Sequence, residues 1–232
     1  MLQVQHQILV ECQGLGSDGV VFDQSLVYCH NNLHDMSLFC DACFPSLNDE
    51  SNRNENESGT KSTDNISYAQ LCQQSKIHLM AAAPLSMGLL TVAGPPSWHP
   101  APVSLKDACA AAAKICDSKG VNISSLALLY SLSQPGVGCT LLGMKDIKEV
   151  DFAADLAMRF CGVNFEGSGN EATNETFNTI LDQVLSPTEK EVLALLLDKE
   201  HGPFATVMSN GEYRWDGKEE ARKFWALVDE LK

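Results

Sequence analysis

Residues 83–91 of the chain read APLSMGLLT, and residues 93–101 read AGPPSWHPA. An apolar run over residues 77–83 leads into this Pro- and Gly-rich stretch. Such a run is typical of a buried parallel strand that opens into a loop at the carboxyl edge of a sheet. We therefore predict a strand over residues 77–83 and a loop over residues 92–102.

Working outward from this strand, the sequence predicts two further strands. Residues 22–30 carry β-branched and aromatic side chains, and residues 139–143 form a short apolar run. Helices are predicted over residues 2–13, 36–47, 68–75, 105–116, 124–132, 187–198 and 218–231, and after the N-cap Asp146. The alternation of strands and helices indicates parallel βα units. Three strands do not make a closed barrel.

Two polar segments suggest how the chain is divided. Residues 48–65 hold too few apolar side chains to offset the entropy of ordering them, so we predict a disordered insertion inside the first unit, residues 1–158. Residues 159–185, which include a Gly- and Asn-rich run, are predicted to be a linker. Carboxyl-terminal helices are predicted over residues 186–232, and they begin with the capping box Ser186-Pro187-Thr188-Glu189.

Composition excludes several classes of function. A net charge of −14 without a basic stripe argues against nucleic acid as a partner. No apolar run approaches the roughly 20 residues that span a bilayer, and the amino terminus lacks the features of a signal peptide. These observations predict no membrane partner and a soluble, cytoplasmic location.

The nine cysteines are odd in number and irregularly spaced, which indicates reduced thiols rather than a disulfide framework. Cys40 and Cys43 have the spacing of half a zinc site or of a redox pair. The sequence offers no second Cys pair of this spacing to complete four ligands. Packing on one helix face is therefore the favoured interpretation, and no metal site is predicted. A metal or thiol module is the weakest alternative.

Three stretches resemble one known family. Residues 83–101 resemble the segment around the seventh strand of the aldo-keto reductases, in the branch of L-galactose dehydrogenase and D-threo-aldose 1-dehydrogenase. Residues 140–150 resemble the eighth strand with its following loop and helix, and residues 26–35 resemble strand six. The resemblance covers about residues 1–158. It implies an α/β fold, a partial (β/α)8 TIM barrel that consists of strands six to eight with flanking helices.

The resemblance also implies a cofactor site at the turn after the seventh strand. In the family this motif lies along the pyrophosphate of NAD or NADP, and Pro84, Leu85, Gly88 and Leu90 match it. Ala83 stands where most members carry Ser. One hydroxyl contact with the cofactor is therefore expected to be lost.

A second part of the implied cofactor site follows the eighth strand. Gly143, Met144 and Lys145 would lie beside the adenosine phosphate, where Lys145 could pair with a 2′-phosphate. The family usually has Gln and Asn on the next helix, whereas this chain has Glu149 and Ala153. We therefore expect NAD or NADP binding to be weak or absent in this chain. A solvated helix face is the alternative interpretation of Lys145 and Glu149.

The resemblance places Tyr28 and His30 toward the nicotinamide end of a complete barrel. The alternative, which we favour, is that they are partly buried strand residues with satisfied polar tips. In the family a Tyr general acid, a Lys, an Asp and a His come from the first four strands. These residues have no counterpart in the segment that resembles the family, so no catalytic residue is predicted.

The resemblance thus implies an oxidoreductase whose parent activity is NAD(P)-dependent oxidation of an aldose such as L-galactose at C1, and the chain alone is expected to be inactive. The alternatives are a non-catalytic remnant or interaction protein, or a truncated gene model. Three parallel strands would leave two open edges, and Tyr28, Leu79, Ala81 and Leu141 are expected to be partly exposed. A complementing barrel half or self-association is the predicted partner.

Overall fold

The computed structural model describes residues 22–39, 44–45, 65–162 and 174–215, and singly Gln5 and Ala226. Five strands and seven helices lie in these ranges. The strands are β1 (Gln24–Tyr28), β2 (Phe44–Pro45), β3 (Asn65–Ile66), β4 (His78–Ala82) and β5 (Cys139–Leu141). The helices are α1 (Tyr68–Gln74), α2 (Val103–Ser118), α3 (Ile123–Leu132), α4 (Ile147–Cys161), α5 (Asn174–Val184), α6 (Pro187–Leu196) and α7 (Ala205–Ser209), with a 3₁₀ turn at Ser86–Gly88.

The main sheet has three strands in the order β1-β4-β5, and both pairs are parallel. Gln24 is paired with His78 at one end of the first pair, and Tyr28 with Ala82 at the other. Parallel neighbours require crossover connections, which helices supply here, so the α/β class is confirmed. The three predicted parallel strands are also confirmed, each inside its predicted range. A separate short pair joins β2 and β3 antiparallel.

The two faces of the main sheet differ in how well they are covered. Val27, Leu79 and Ala81 pack in a cluster with α1 and are at most 2% exposed. On the other face, Leu26 is 43% exposed and Leu141 is 44% exposed. The expectation of exposure was therefore wrong for Leu79 and Ala81, because strand alternation points them toward the helix layer.

A larger core joins the middle of the chain to its carboxyl-terminal helices. The Ala-rich helix α2 packs on α3, α6 and α7, and buried side chains of α5 belong to the same cluster. Helix α5 lies inside the predicted linker, residues 159–185, so that prediction was wrong over Asn174–Val184. Ile180, Leu181 and Val184 are buried because they fall on one side of this helix.

The predicted helix over residues 36–47 was also wrong where the structure can be compared with it. Residues 36–39 form turns, and Phe44–Pro45 is a strand. Polar side chains close the preceding turn: Asn32 Oδ1 accepts from the amides of His34 and Asp35, and Asp35 Oδ1 accepts from the amide of Ser37. Such local bonds compete with helix formation.

Several predictions fall outside the described residues. They are the helices over 2–13 and 218–231 apart from Gln5 and Ala226, the insertion over 48–65 apart from Asn65, which begins β3, and the Cys40–Cys43 pair. The six cysteines of the described part are free thiols. Within the described ranges, no helix is both long and apolar enough to cross a membrane.

Candidate functional site at the carboxyl edge of the sheet

The carboxyl ends of β1, β4 and β5 lie side by side because the three strands are parallel. The Cys29 amide donates to the Ala82 carbonyl at 3.1 Å, and the Ala83 amide donates to the Leu141 carbonyl at 3.2 Å. The loops that start at residues 29, 83 and 142 therefore leave the sheet at one edge. In open α/β sheets and in barrels this edge is where ligands bind.

The turn after β4 has a strained backbone. Ala83, Ser86 and Met87 have φ values of +58°, +48° and +52°, in the left-handed region that non-Gly residues rarely adopt. Carbonyls of the turn itself accept from its amides, with Ser86 N donating to Ala83 O at 2.9 Å and Leu90 N to Leu85 O at 3.2 Å. Clustered strain of this kind is common at ligand sites and costs about 1–3 kcal/mol per residue.

The four predicted residues of this turn differ in burial and in backbone conformation. Pro84 and Leu90 are buried, and Leu85 is half-buried against the larger core. Gly88 has φ +95°, and a Cβ added there would lie 3.4 Å from the Gly94 carbonyl oxygen. A Cβ would therefore fit beside the loop, and it is the positive φ that favours glycine at position 88.

The second predicted group, Gly143, Met144 and Lys145, is exposed at the start of α4. As predicted, Asp146 caps this helix, and its side chain accepts from the Glu149 amide at 3.0 Å. Glu149 takes up both donors of Lys145, accepting from its amide at 2.8 Å and pairing with its Nζ at 3.2 Å. Two carboxylates therefore already occupy the end of the helix that would attract a phosphate.

These contacts decide whether the edge fits a dinucleotide. The amides of Ser86, Gly88, Leu89 and Leu90 are bonded to carbonyls of the same turn, so they do not point toward a pyrophosphate. The Lys145 cation is held by Glu149, whose charge would repel a 2′-phosphate. This internal bonding disfavours the binding of NAD or NADP in the arrangement seen here.

A buried polar network lies next to this turn, and sequence reasoning missed it. Ser86 Oγ is 2.9 Å from His34 Nε2, and the Trp215 indole donates to the same oxygen at 3.0 Å. His34 Nδ1 lies 2.8 Å from the Tyr213 carbonyl, which can only accept, so the His34 proton is assigned to Nδ1. His34 Nε2 then accepts from the Ser86 hydroxyl.

His99 forms one wall of the same network. Its Nδ1 accepts from the Ala101 amide at 3.1 Å, so its Nε2 donates to the Ser86 carbonyl at 3.2 Å. Burial lowers the pKa of His99 to about 4, and the imidazole is neutral at pH 7. Because 129 residues separate Trp215 from Ser86, no local pattern could have identified their contact.

Tyr28 and His30, the residues that resemble the nicotinamide end, make contacts within the chain. His30 Nδ1 is 2.8 Å from Ser37 Oγ and 3.3 Å from Asp35 Oδ2, and all three side chains are buried. Tyr28 is half-buried, and its ring meets the Trp215 ring edge-on at 6.1 Å. Burial raises the pKa of Tyr28 well above its usual range. In the described part of the chain, no three His, Cys, Asp or Glu side chains converge to hold a metal ion.

Comparison with known proteins finds a matching family for part of the chain. Residues 61–157 match the model of the Aldo/keto reductase family. This segment is therefore similar to the aldo/keto reductases. L-galactose dehydrogenase of Arabidopsis thaliana is 47% identical over 75 residues, which are 32% of this chain and 24% of that enzyme. The chain therefore spans about a quarter of the length of this curated relative.

The aldo/keto reductase match confirms the resemblance that the sequence analysis identified. Residues 83–101 and 140–150 both lie inside the matched range, and they carry the two loops that the structure brings to one edge. Residues 26–35 lie outside it, although β1 is paired with β4 in the same sheet. The aldo/keto reductase segment and its sheet partner thus form the candidate site.

Proposed function

We propose that the chain is the carboxyl-terminal part of an aldo/keto reductase (β/α)8 barrel, in which β1, β4 and β5 take the places of strands six, seven and eight. The observation that supports this most directly is the parallel order β1-β4-β5, with both family landmarks at its carboxyl edge. The parent activity is that of an oxidoreductase, NAD(P)-dependent oxidation of an aldose such as L-galactose at C1. The named relative supports this substrate class.

We further propose that the 232 residues by themselves are inactive. The family's Tyr acid, its Lys, its Asp and its His belong to the first four strands, which have no counterpart in the segment matched here. Loss of positioned acid catalysis alone typically costs about 10²–10⁴-fold in rate. Cofactor binding is also expected to be weak or absent, because the turn amides are bonded within the turn and Lys145 is paired with Glu149.

A partner that supplies the remaining strands is the third element of the proposal. Among the described residues, strands β1 and β5 are the two edges of the main sheet, and Leu26 and Leu141 on one face are each more than 40% exposed. Unpaired edge strands and exposed apolar side chains favour association with further strands. A complementing barrel half of the same family satisfies both requirements.

The test measures NAD(P)H formation with L-galactose, L-fucose and D-arabinose, each with NAD and with NADP. We expect no turnover above the blank from the 232-residue chain, whereas the Arabidopsis relative, as the matched control, turns over L-galactose. Addition of the relative's amino-terminal portion, which would carry the first five strands, is expected to produce measurable turnover. Activity of the chain alone that survives repurification would overturn the inactivity proposal.

A second candidate function is a non-catalytic interaction protein. The observation that favours it is the closure of the carboxyl edge by the chain's own Trp215 and by Glu149. This candidate predicts no gain of turnover with the complementing portion. A complex of the two that forms but stays inactive with every aldose would therefore favour it over the first.

A further inference from the structure

Trp215 is held at the carboxyl edge of the sheet as a ligand would be. Its side chain is 1% exposed, and its indole N–H donates to Ser86 Oγ at 3.0 Å. The His99 ring meets the indole edge-on, with centroids 4.7 Å apart and planes inclined by 65°. On another side the Tyr28 ring is inclined by 84° at 6.1 Å. The indole thus has one polar contact and two aromatic walls.

The protons of this site fix what kind of ring it accepts. The Tyr213 carbonyl holds the His34 proton on Nδ1 at 2.8 Å, so His34 Nε2 takes the Ser86 hydroxyl proton at 2.9 Å. Ser86 Oγ therefore presents a lone pair to the ring. A ring with an N–H donor satisfies it, and a ring without one leaves a buried oxygen with an unused acceptor.

Residues 213–215 carry the indole and are joined to the edge by polar contacts. Residues 213–215 follow α7 and Gly211, whose φ is +76°. The Glu212 and Tyr213 amides both donate to the Val207 carbonyl, so the backbone before the segment is bonded back to α7. The polar contacts with the edge include the Tyr213 carbonyl with His34, the indole with Ser86, and Arg214 Nε with Asp35 Oδ2 at 3.9 Å. We call residues 213–215 the strap.

We propose that the Trp215 indole is an intramolecular ligand in a pocket formed by Tyr28, Ser86, His34 and His99, and that this pocket binds a free, neutral, planar heteroaromatic ring with an N–H donor when the indole is withdrawn. The strap and such a ring are mutually exclusive occupants. The neutral state of His99 suits an uncharged ring. The inference rests on these contacts and does not depend on the proposed oxidoreductase function.

The first experiment uses the full chain with Trp215→Gly and indole as the probe. We expect indole to bind with a dissociation constant below about 1 mM, and to raise the melting temperature of the variant but not of the unaltered chain. 1-Methylindole has nearly the same shape and lacks the N–H, so it is expected to bind about tenfold more weakly, a difference of about 1.4 kcal/mol. Trp98→Gly is the matched control, because Trp98 is 53% exposed and should leave no pocket.

Two results with a folded Trp215→Gly variant would contradict the proposal. If indole does not bind, or binds no better than 1-methylindole, the pocket or its Ser86 acceptor is wrong. If NAD or NADP binds to the variant and free indole does not, the Trp215 side chain covers part of a dinucleotide site instead. That result would overturn the proposal.

The second measurement needs no variant and covers the case in which Trp215→Gly fails to fold. Hydrogen exchange of the Trp215 indole N–H is compared with that of the amides of β4 in the unaltered chain. We expect the indole proton to exchange at least tenfold faster, because the strap lifts without unfolding of the sheet. Equal exchange rates would show that Trp215 leaves its site only on global unfolding, and the proposal would be overturned.

Discussion

At the scale of single residues, the buried imidazole of His99 has both ring nitrogens committed. Nδ1 accepts from the Ala101 amide, and Nε2 donates to the Ser86 carbonyl. A second proton would have to be placed on Nδ1, where it would face an N–H and have no acceptor. Desolvation by burial, together with the nearby charge of Lys106, therefore lowers the pKa of His99 to about 4 from 6.5.

This shift makes stability depend on pH. Between pH 6.5 and 4 the unfolded chain binds a proton at His99 that the folded chain does not, so stability is complete above about pH 6.5 and is lost as the pH falls. We expect the His99 contribution to the free energy of unfolding to fall by about 2 kcal/mol between pH 7 and pH 5. Urea unfolding at both pH values measures the loss. His99→Gln, which does not titrate, should lose less stability over this range, and equal losses in both proteins would contradict the prediction.

At the scale of elements, Glu189 joins the start of α6 to α4 and to the end of α5. Its carboxylate accepts from the Ser186 amide at 2.8 Å and from the Arg159 guanidinium, which also donates to the Val184 carbonyl. Burial opposes its ionisation, but the hydrogen bonds from Arg159 and Ser186 outweigh burial and hold the pKa of Glu189 at about 2. The carboxylate therefore stabilises the fold above pH 4.5, and this stabilisation is lost as the pH falls toward 2.

Glu189→Gln is predicted to lower the free energy of unfolding at pH 7 by about 1–3 kcal/mol, because it leaves the Arg159 guanidinium without its anionic partner. Glu191→Gln on the same helix is the matched control. Glu191 is 58% exposed and pairs with Lys119, so its loss should cost less than about 0.5 kcal/mol. Denaturant unfolding of both variants measures the difference. Equal effects would show that Glu189 makes no more than a surface contribution.

Elements with local signals could be predicted from the sequence. The capping box of α6 is formed by Ser186 and Glu189 as their spacing predicts, and Asp146 caps α4. The turn after Tyr28 could not be predicted in the same way, because its Asn32 and Asp35 side chains replace helical bonds with local ones. Helix α5 was missed because its flanking Gly- and Asn-rich residues dominate the pattern, whereas burial of Ile180 and Val184 stabilises it.

At the scale of the whole molecule, the parallel sheet and its carboxyl edge followed from the family landmarks, but the occupants of that edge did not. Local patterns carry no information on which distant side chain lies against Ser86. The structure shows Trp215, more than a hundred residues away, in that place. Buried side chains of α6 and α7 are likewise part of the larger core. Packing between distant parts of the chain thus covers the carboxyl edge of the sheet, where the family motifs place a ligand site.

The two faces of the main sheet are covered to different extents, and this difference bears on self-association of the chain. Leu79 and Ala81 are covered by α1, which favours a folded chain, while the opposite face retains Leu26 and Leu141, each more than 40% exposed. Strands β1 and β5 are both edges of this sheet. We therefore predict concentration-dependent self-association through this face, because each pairing covers apolar surface and edge amides together.

Light scattering coupled to size-exclusion chromatography measures this association between about 1 and 100 μM. Leu141→Lys places a charge on the exposed face beside the β5 edge, and it is expected to shift the population toward monomer by at least tenfold in dissociation constant. Val103→Lys is the matched control, because Val103 is 71% exposed at the start of α2 and lies outside the sheet. If the unaltered chain stays monomeric throughout, or if both variants weaken association equally, the open face of β1, β4 and β5 is not the surface through which the chain associates.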